Sequence, residues 1–237
     1  MLVNSSNLKK YKNKYFSILG DSISTFQGVS VPKDAVFYDT DKKLASGVTT
    51  ADDTWWGIVI NALGGKLLVN NSISGSTVTG NKYYKYESYG CSDERTSRLG
   101  TDCMNPDVII VYLGTNDWGH AIKIAYDPAS GGEKRGAFES AYQIMLEKII
   151  KKYPTAEIWC FTPATSFCSS IGSFEFPYYC GGWHISEYCK VIRDCAEKFG
   201  CRLIELFNDK EPFDTIDGFH PNKDGMKKLA ENVLSSL

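Results

Sequence analysis

Apolar residues along this chain fall into two alternating rhythms, short runs suited to strands and longer stretches with helical spacing. Residues 15–19 (YFSIL) predict a first strand ending at Gly20, and residues 66–70 (KLLVN) predict a second. Residues 107–113 (DVIIVYL) are almost continuously apolar, the mark of a strand buried on both faces. Residues 156–161 (AEIWCF) and 201–206 supply a fourth and a fifth.

The intervening stretches read as helices. Residues 54–63 form one, with Asp53 available to cap it, and a short helix is expected around residues 92–99. Phe138, Tyr142, Met145, Leu146 and Ile149 share one helical face, with Pro154 just past its end. Ile185, Tyr188, Val191, Ile192, Cys195 and Phe199 mark another, closed by Gly200. Met226, Leu229, Ala230, Val233 and Leu234 line the last helix. Strands alternating with helices imply right-handed crossovers and a parallel sheet covered on both sides. The expected fold is therefore a three-layer, flavodoxin-like α/β/α sandwich of about five parallel strands. No repeat, low-complexity tract or long linker interrupts it, so residues 1–237 read as one domain. Residues 26–53, roughly 28 in number, are long for an internal loop and could cover the functional crevice.

Composition narrows the function classes. The 237 residues carry a formal net charge of −2, with 43% hydrophobic and 23% charged positions. Nothing there draws the chain to nucleic acid or to an anionic membrane, and no basic run is interleaved with aromatics. The N-terminus lacks the apolar core of a signal peptide and no run of about 20 apolar residues occurs, so a cytoplasmic location is expected. The eight cysteines form no CxxC pair and no Cys/His cluster with metal spacing, so free structural thiols are expected and no metal site is implied.

Four polar, turn-rich blocks follow the predicted strands: GDSIS at 20–24, NSISGS at 71–76, GTND at 114–117 and DGFHPN at 217–222. In a parallel α/β sheet these converge at the carboxyl ends of the strands, where ligands bind. Together they contain every part of an acyl-transfer site. A serine hydroxyl (Ser22) needs an imidazole (His220) to take its proton, and the imidazole needs an orienting carboxylate (Asp217). Asp217 lies three residues before His220, within reach of one turn. The backbone N–H groups of Ser22 and Gly75, with the Asn116 amide, could form an oxyanion hole. Each block alone reads as an ordinary turn or cap; the order and the shared sheet edge raise their weight.

These blocks resemble the SGNH hydrolases, also called GDSL-like lipases and acylhydrolases, and the resemblance runs from residue 15 to 235. GTND and DGxHPN are its specific signals, GDSIS is a good match, and the second block is looser, carried by Gly75. The resemblance implies a serine esterase with Ser22 as nucleophile and oxyanion donor. Gly75 and Asn116 complete the hole, Asp217 orients, and His220 acts as base and then acid. It implies no cofactor. GDSL reads GDSI here, a small aliphatic exchange. The expected substrate is a small-molecule ester with a short acyl group, an acetylated carbohydrate being the preferred case. Thioester or longer-chain ester hydrolysis is the runner-up, and a non-catalytic carbohydrate-binding module on the same fold is the reading from another class.

Several residues compete for roles. Trp118 and His120 follow the third block and are candidates to line the pocket. His184 is expected to cap a helix, Asp21 to stabilise its turn, and Trp55 and Trp56 to lie in the core. Tyr83, Tyr84, Tyr86, Tyr89 and Trp183 lie in predicted loops, where local packing is the plainer reading. Arg95 and Arg98 could anchor a charged substrate, but pairing with Asp93 and Glu94 on a solvated helix is favoured.

Overall fold

The computed structural model describes residues 5–30, 35–80, 89–208 and 210–237. Its centre is a sheet of five strands: β1 (Tyr15–Gly20), β2 (Lys66–Ser72), β3 (Val108–Tyr112), β4 (Glu157–Phe161) and β5 (Arg202–Ile204). The order is β2-β1-β3-β4-β5 and every neighbouring pair is parallel, the flavodoxin-like arrangement expected. β3 sits in the middle, and all five of its residues are buried, as its unbroken apolar run requires.

Strand alternation divides the core in two. Val108, Ile110 and Tyr112 join a cluster with Trp55 and Val59 of helix α2 (Trp55–Ala62) and Met226 and Val233 of helix α5 (Lys223–Ser235). Ile109 and Val111 face the other way. They pack with Met145 and Ile149 of α3 (Phe138–Lys152) and with Ile192 and Cys195 of α4 (Ile185–Phe199). Each fully buried large side chain contributes about 1.5–3 kcal/mol, and both layers hold many. All eight cysteines are unbridged; Cys160 and Cys195 are buried among apolar neighbours.

Some expectations shift. β5 is shorter than the apolar run suggested, ending at Ile204. Thr54 rather than Asp53 caps α2, its hydroxyl accepting from Gly57 N–H at 3.0 Å. Asp53 instead accepts from the Thr50 N–H at 2.9 Å and pairs with Lys223 at 2.8 Å, tying the turn before α2 to α5. A helix absent from the sequence expectation, α1 (Ser5–Tyr11), precedes β1, and its buried Tyr11 donates to Glu157 at 3.1 Å. The long segment before α2 is not loop throughout, since residues Thr40–Ser46 form a helix capped by Asp39. Residues 31–34 of that segment, and Tyr83, Tyr84 and Tyr86, lie outside the described residues.

Candidate active site

The crevice begins where β1 ends. A Cβ at Gly20 would stand 2.8 Å from the hydroxyls of Ser24 and Ser72, so only glycine lets the chain turn this tightly against β2. Asp21 caps the following turn, Ser22–Ser24, by accepting from Ile23 N–H at 3.1 Å. That turn presents Ser22, 7% exposed, at the mouth of the crevice.

The loop between β5 and α5 brings the other two groups to it. His220 Nε2 lies 2.9 Å from Ser22 Oγ, and His220 Nδ1 lies 2.8 Å from Asp217 Oδ2. Asp217 Oδ1 also accepts from the backbone N–H of His220 at 2.9 Å and of Phe219 at 3.1 Å. Gly218 lies between them at φ +95°, where a Cβ would run into the Phe174 ring, and its N–H donates to Thr215 Oγ1 at 2.9 Å. Burial pushes the Asp217 carboxyl up, but its bonds from the His220 ring and the two N–H groups outweigh burial and hold it at about 2. Asp217 is thus a carboxylate at every pH where a neutral imidazole can work as a base.

The third cluster lies across the crevice from His220. Gly75 adopts φ +75° after β2, and among the described residues the N–H groups of Ser22 and Gly75 donate to no protein acceptor. The Asn116 amide, in the short helix Thr115–Gly119, donates to Ser76 O at 3.0 Å and, more weakly, to Asp21 Oδ2 at 3.3 Å. The next residue, Asp117, is fully buried and clamps the loop after β2 from behind. It accepts from Val78 N–H at 2.8 Å, Thr79 N–H at 3.1 Å and Thr79 Oγ1 at 2.8 Å. Burial raises Asp117 to about 6 and Asp21 to about 7; around Asp21 the Arg95 charge works against that rise.

Arg95 departs from its expected place. Rather than standing on a solvated helix face, it is fully buried behind the site. Its guanidinium donates to Gly20 O at 2.9 Å, Asn71 O at 2.7 Å and Ser76 Oγ at 2.8 Å, joining the ends of β1 and β2 to the loop that carries Gly75. Arg98 does pair with Glu94, at 2.8 Å. The other residues fall as read: His184 caps α4, and Trp55 and Trp56 are core.

Ser22, Asn116 and His220 open onto a cavity of about 360 Å³. Trp118 and His120 both line it, in different ways. Trp118 is 2% exposed and stacks on Phe176 with centroids 5.7 Å apart, so it is a wall, whereas His120 stands at the open rim. Tyr179, on a two-residue ribbon with His184, is 69% exposed at the same rim. Sequence reasoning missed Phe37, whose ring lies flat on His220. It sits in a stretch without apolar periodicity, and nothing local marks it. Among the described residues no three His, Cys, Asp or Glu side chains gather as metal ligands would, and no helix is long and apolar enough to cross a membrane.

A doubly wound parallel sheet with a serine, a histidine and an aspartate in hydrogen-bonded series at its carboxyl edge is an arrangement suited to an SGNH-type hydrolase. Comparison with known proteins agrees. A sequence model of the GDSL-like lipase/acylhydrolase family matches residues 14–166, and the chain belongs to that family, the SGNH group. An acetylxylan esterase of Xylanibacter ruminicola is 27% identical over 155 residues, 56% of this chain, and the match spans only 28% of that relative's length. Among solved structures, a protein described as a GDSL-like lipase from Bacteroides uniformis superposes with a TM-score of 0.71 at 29% identity, covering 97% of this chain and 98% of its own. A counterpart from Bacteroides ovatus gives the same TM-score at 27% identity, covering 94% and 96%.

Proposed function

We propose that residues 1–237 act as one catalytic domain that hydrolyses short-chain esters through an acyl-serine intermediate, with acetyl esters of carbohydrates as the substrate class. The observation that carries this reading is the continuous series Asp217–His220–Ser22, with contacts of 2.8 and 2.9 Å. His220 Nε2 takes the Ser22 proton as Oγ forms a bond to the ester carbonyl carbon, and Asp217 holds the imidazolium that results. The negative oxygen so formed is received by the N–H groups of Ser22 and Gly75 and by the Asn116 amide, which gives up its weaker bond to Asp21. Collapse breaks the ester C–O bond, and the alcohol leaves with the proton from Nε2. Water then repeats the sequence on the acyl-serine and releases the acid.

The choice of a small acyl group rests on the walls of the cavity, where Trp118, Ile23 and Phe219 stand close to Ser22. The carbohydrate reading is supported by the flat, exposed Tyr179 ring at the rim and by the acetylxylan esterase activity named for the Xylanibacter relative. Eight unbridged cysteines favour a reducing compartment, hence the cytoplasm, as the place of work. The test is a panel of nitrophenyl esters of increasing chain length beside acetylated sugars, with Ser22→Ala as control. The reading expects rates that fall with chain length, acetylated sugars among the good substrates, and loss of all turnover in the variant. Preference for long chains or thioesters would favour the alternative hydrolase reading. Tight sugar binding without turnover, equal in both proteins, would favour a binding module.

A further inference from the structure

The Phe37 ring is parallel to the His220 imidazole to within 10°, with centroids 3.5 Å apart. Its backbone is bound to the same machinery. Phe37 N–H donates to Thr25 Oγ1 at 2.9 Å, and that hydroxyl donates to Ser22 O at 2.8 Å. The next residue, Tyr38, is buried and donates from its phenol to Pro221 O at 2.8 Å, immediately after His220. The Phe37–Tyr38 pair, its rings edge-to-face at 5.1 Å, therefore grips the loop of Ser22 on one side and the loop of His220 on the other.

We infer that Phe37 is a positioning residue for His220, fixing the plane of the imidazole and favouring its charged form over its neutral one. This rests on the assignment of Ser22 and His220 proposed above. The Asp217 bond alone leaves the imidazole free to rock about the Nδ1–Oδ2 axis. A flat ring against one face removes that freedom and keeps Nε2 directed at Ser22. The face of an aromatic ring is also electron-rich, so it attracts a cation held within about 6 Å of its centroid. Taking the serine proton puts a positive charge on the ring, so the attraction strengthens as the transition state is approached, which is what accelerates a step.

Other charged and titratable groups lie on the loops and cavity walls around the imidazole. Asp217 favours the imidazolium from Nδ1. Asp21 and Tyr38 lie buried beside the two loops, His120 stands at the rim, and the Lys42 ammonium is 5.4 Å from the Phe37 centroid and opposes a second cation there. Phe37→Leu leaves Asp217, Asp21, Tyr38 and His120 unchanged while removing the aromatic face and, with it, the Lys42 contact.

The experiment uses the full chain as wild type, Phe37→Leu and Phe37→Tyr. It measures kcat and KM on 4-nitrophenyl acetate from pH 4 to 9, and follows the His220 ring by NMR titration, assigned with His220→Asn. Phe37→Leu is expected to lose about three- to tenfold in kcat, with KM changed less than about twofold. The acid limb of activity and the NMR midpoint should fall together by about half a pH unit. Phe37→Tyr should restore both. Wild-type kcat and midpoint in Phe37→Leu would overturn the inference, as would a rate loss with an unmoved midpoint that Phe37→Tyr does not rescue. Should Phe37→Leu fail to fold, Phe37→Met carries the same comparison. Failure of the underlying assignment shows differently, as undiminished turnover in His220→Asn, while the NMR midpoint still tests the stack.

Discussion

Replacing Arg95 by methionine removes a buried cation that donates to three neutral acceptors. Gly20 O, Asn71 O and Ser76 Oγ, at 2.7–2.9 Å, would lose their donor in a place water does not reach. Bonds from a charged donor are worth about 1.5–3 kcal/mol each, so the gross loss is large. Against it stands the cost of keeping a guanidinium dehydrated, visible in the way burial pulls Arg95 down to about 9, still protonated at neutral pH. Methionine refills much of the volume without that cost. The balance is a net destabilisation of about 2–4 kcal/mol, which for a chain of this length lowers Tm by roughly 5–15 °C. Because the three acceptors belong to the end of β1, the end of β2 and the Gly75 loop, the loss should also appear in kcat more than in KM. Calorimetry and urea unfolding, followed by steady-state kinetics on the folded variant, measure both. A variant within about 0.5 kcal/mol of wild type with unchanged kcat would show that Arg95 does not hold the two strand ends and the Gly75 loop together.

Three other outcomes follow from the site and the sheet edge. Asp217→Asn keeps the turn but loses the charge behind His220, so kcat should fall about 10³–10⁴-fold with the fold intact by circular dichroism. Gly218→Ala forces a Cβ into Phe174 at a backbone angle that L residues rarely adopt; we expect about 1–3 kcal/mol of destabilisation by urea melts and a marked loss of kcat. Burial alone would raise the Glu157 carboxyl, but bonds from Lys10 and Arg202 prevail and hold it at about 2, well below its ordinary 4.5. A depressed carboxyl stabilises the fold above its unfolded pKa, and that contribution disappears as pH falls toward the folded one. Glu157→Gln should therefore be less stable than wild type by about 1 kcal/mol at pH 7, discounted for its partial exposure, and should converge with it as the pH drops from 4.5 toward 2.

The frame of the molecule was legible because its signals are local. An almost continuously apolar run such as 107–113, short and β-branched, suits a strand buried on both faces, and the helical faces of α3, α4 and α5 repeat at their proper spacing. The four turn blocks were legible because strand order in a parallel sheet delivers them to one edge. Arg95 was not, because CSDERTSRLG reads as a solvated polar helix. Its burial is decided by carbonyls at Gly20 and Asn71, far away in sequence. Phe37 was invisible for a similar reason: its partner His220 lies far along the chain, as Pro221 lies 183 residues from Tyr38, and no periodicity marks its loop. Helix α1 is short and polar, and what holds it is Tyr11 and Lys10 reaching the Glu157 carboxylate on β4.

Everything proposed for the site turns on Ser22 as the nucleophile. The most direct measurement is intact-protein and peptide mass spectrometry after treatment with an organophosphate or a sulfonyl fluoride. One adduct is expected, on Ser22, formed in step with loss of ester hydrolysis, and neither adduct nor hydrolysis in a folded Ser22→Ala variant. Full hydrolysis by Ser22→Ala, or inhibition with the adduct on another residue, would contradict that role.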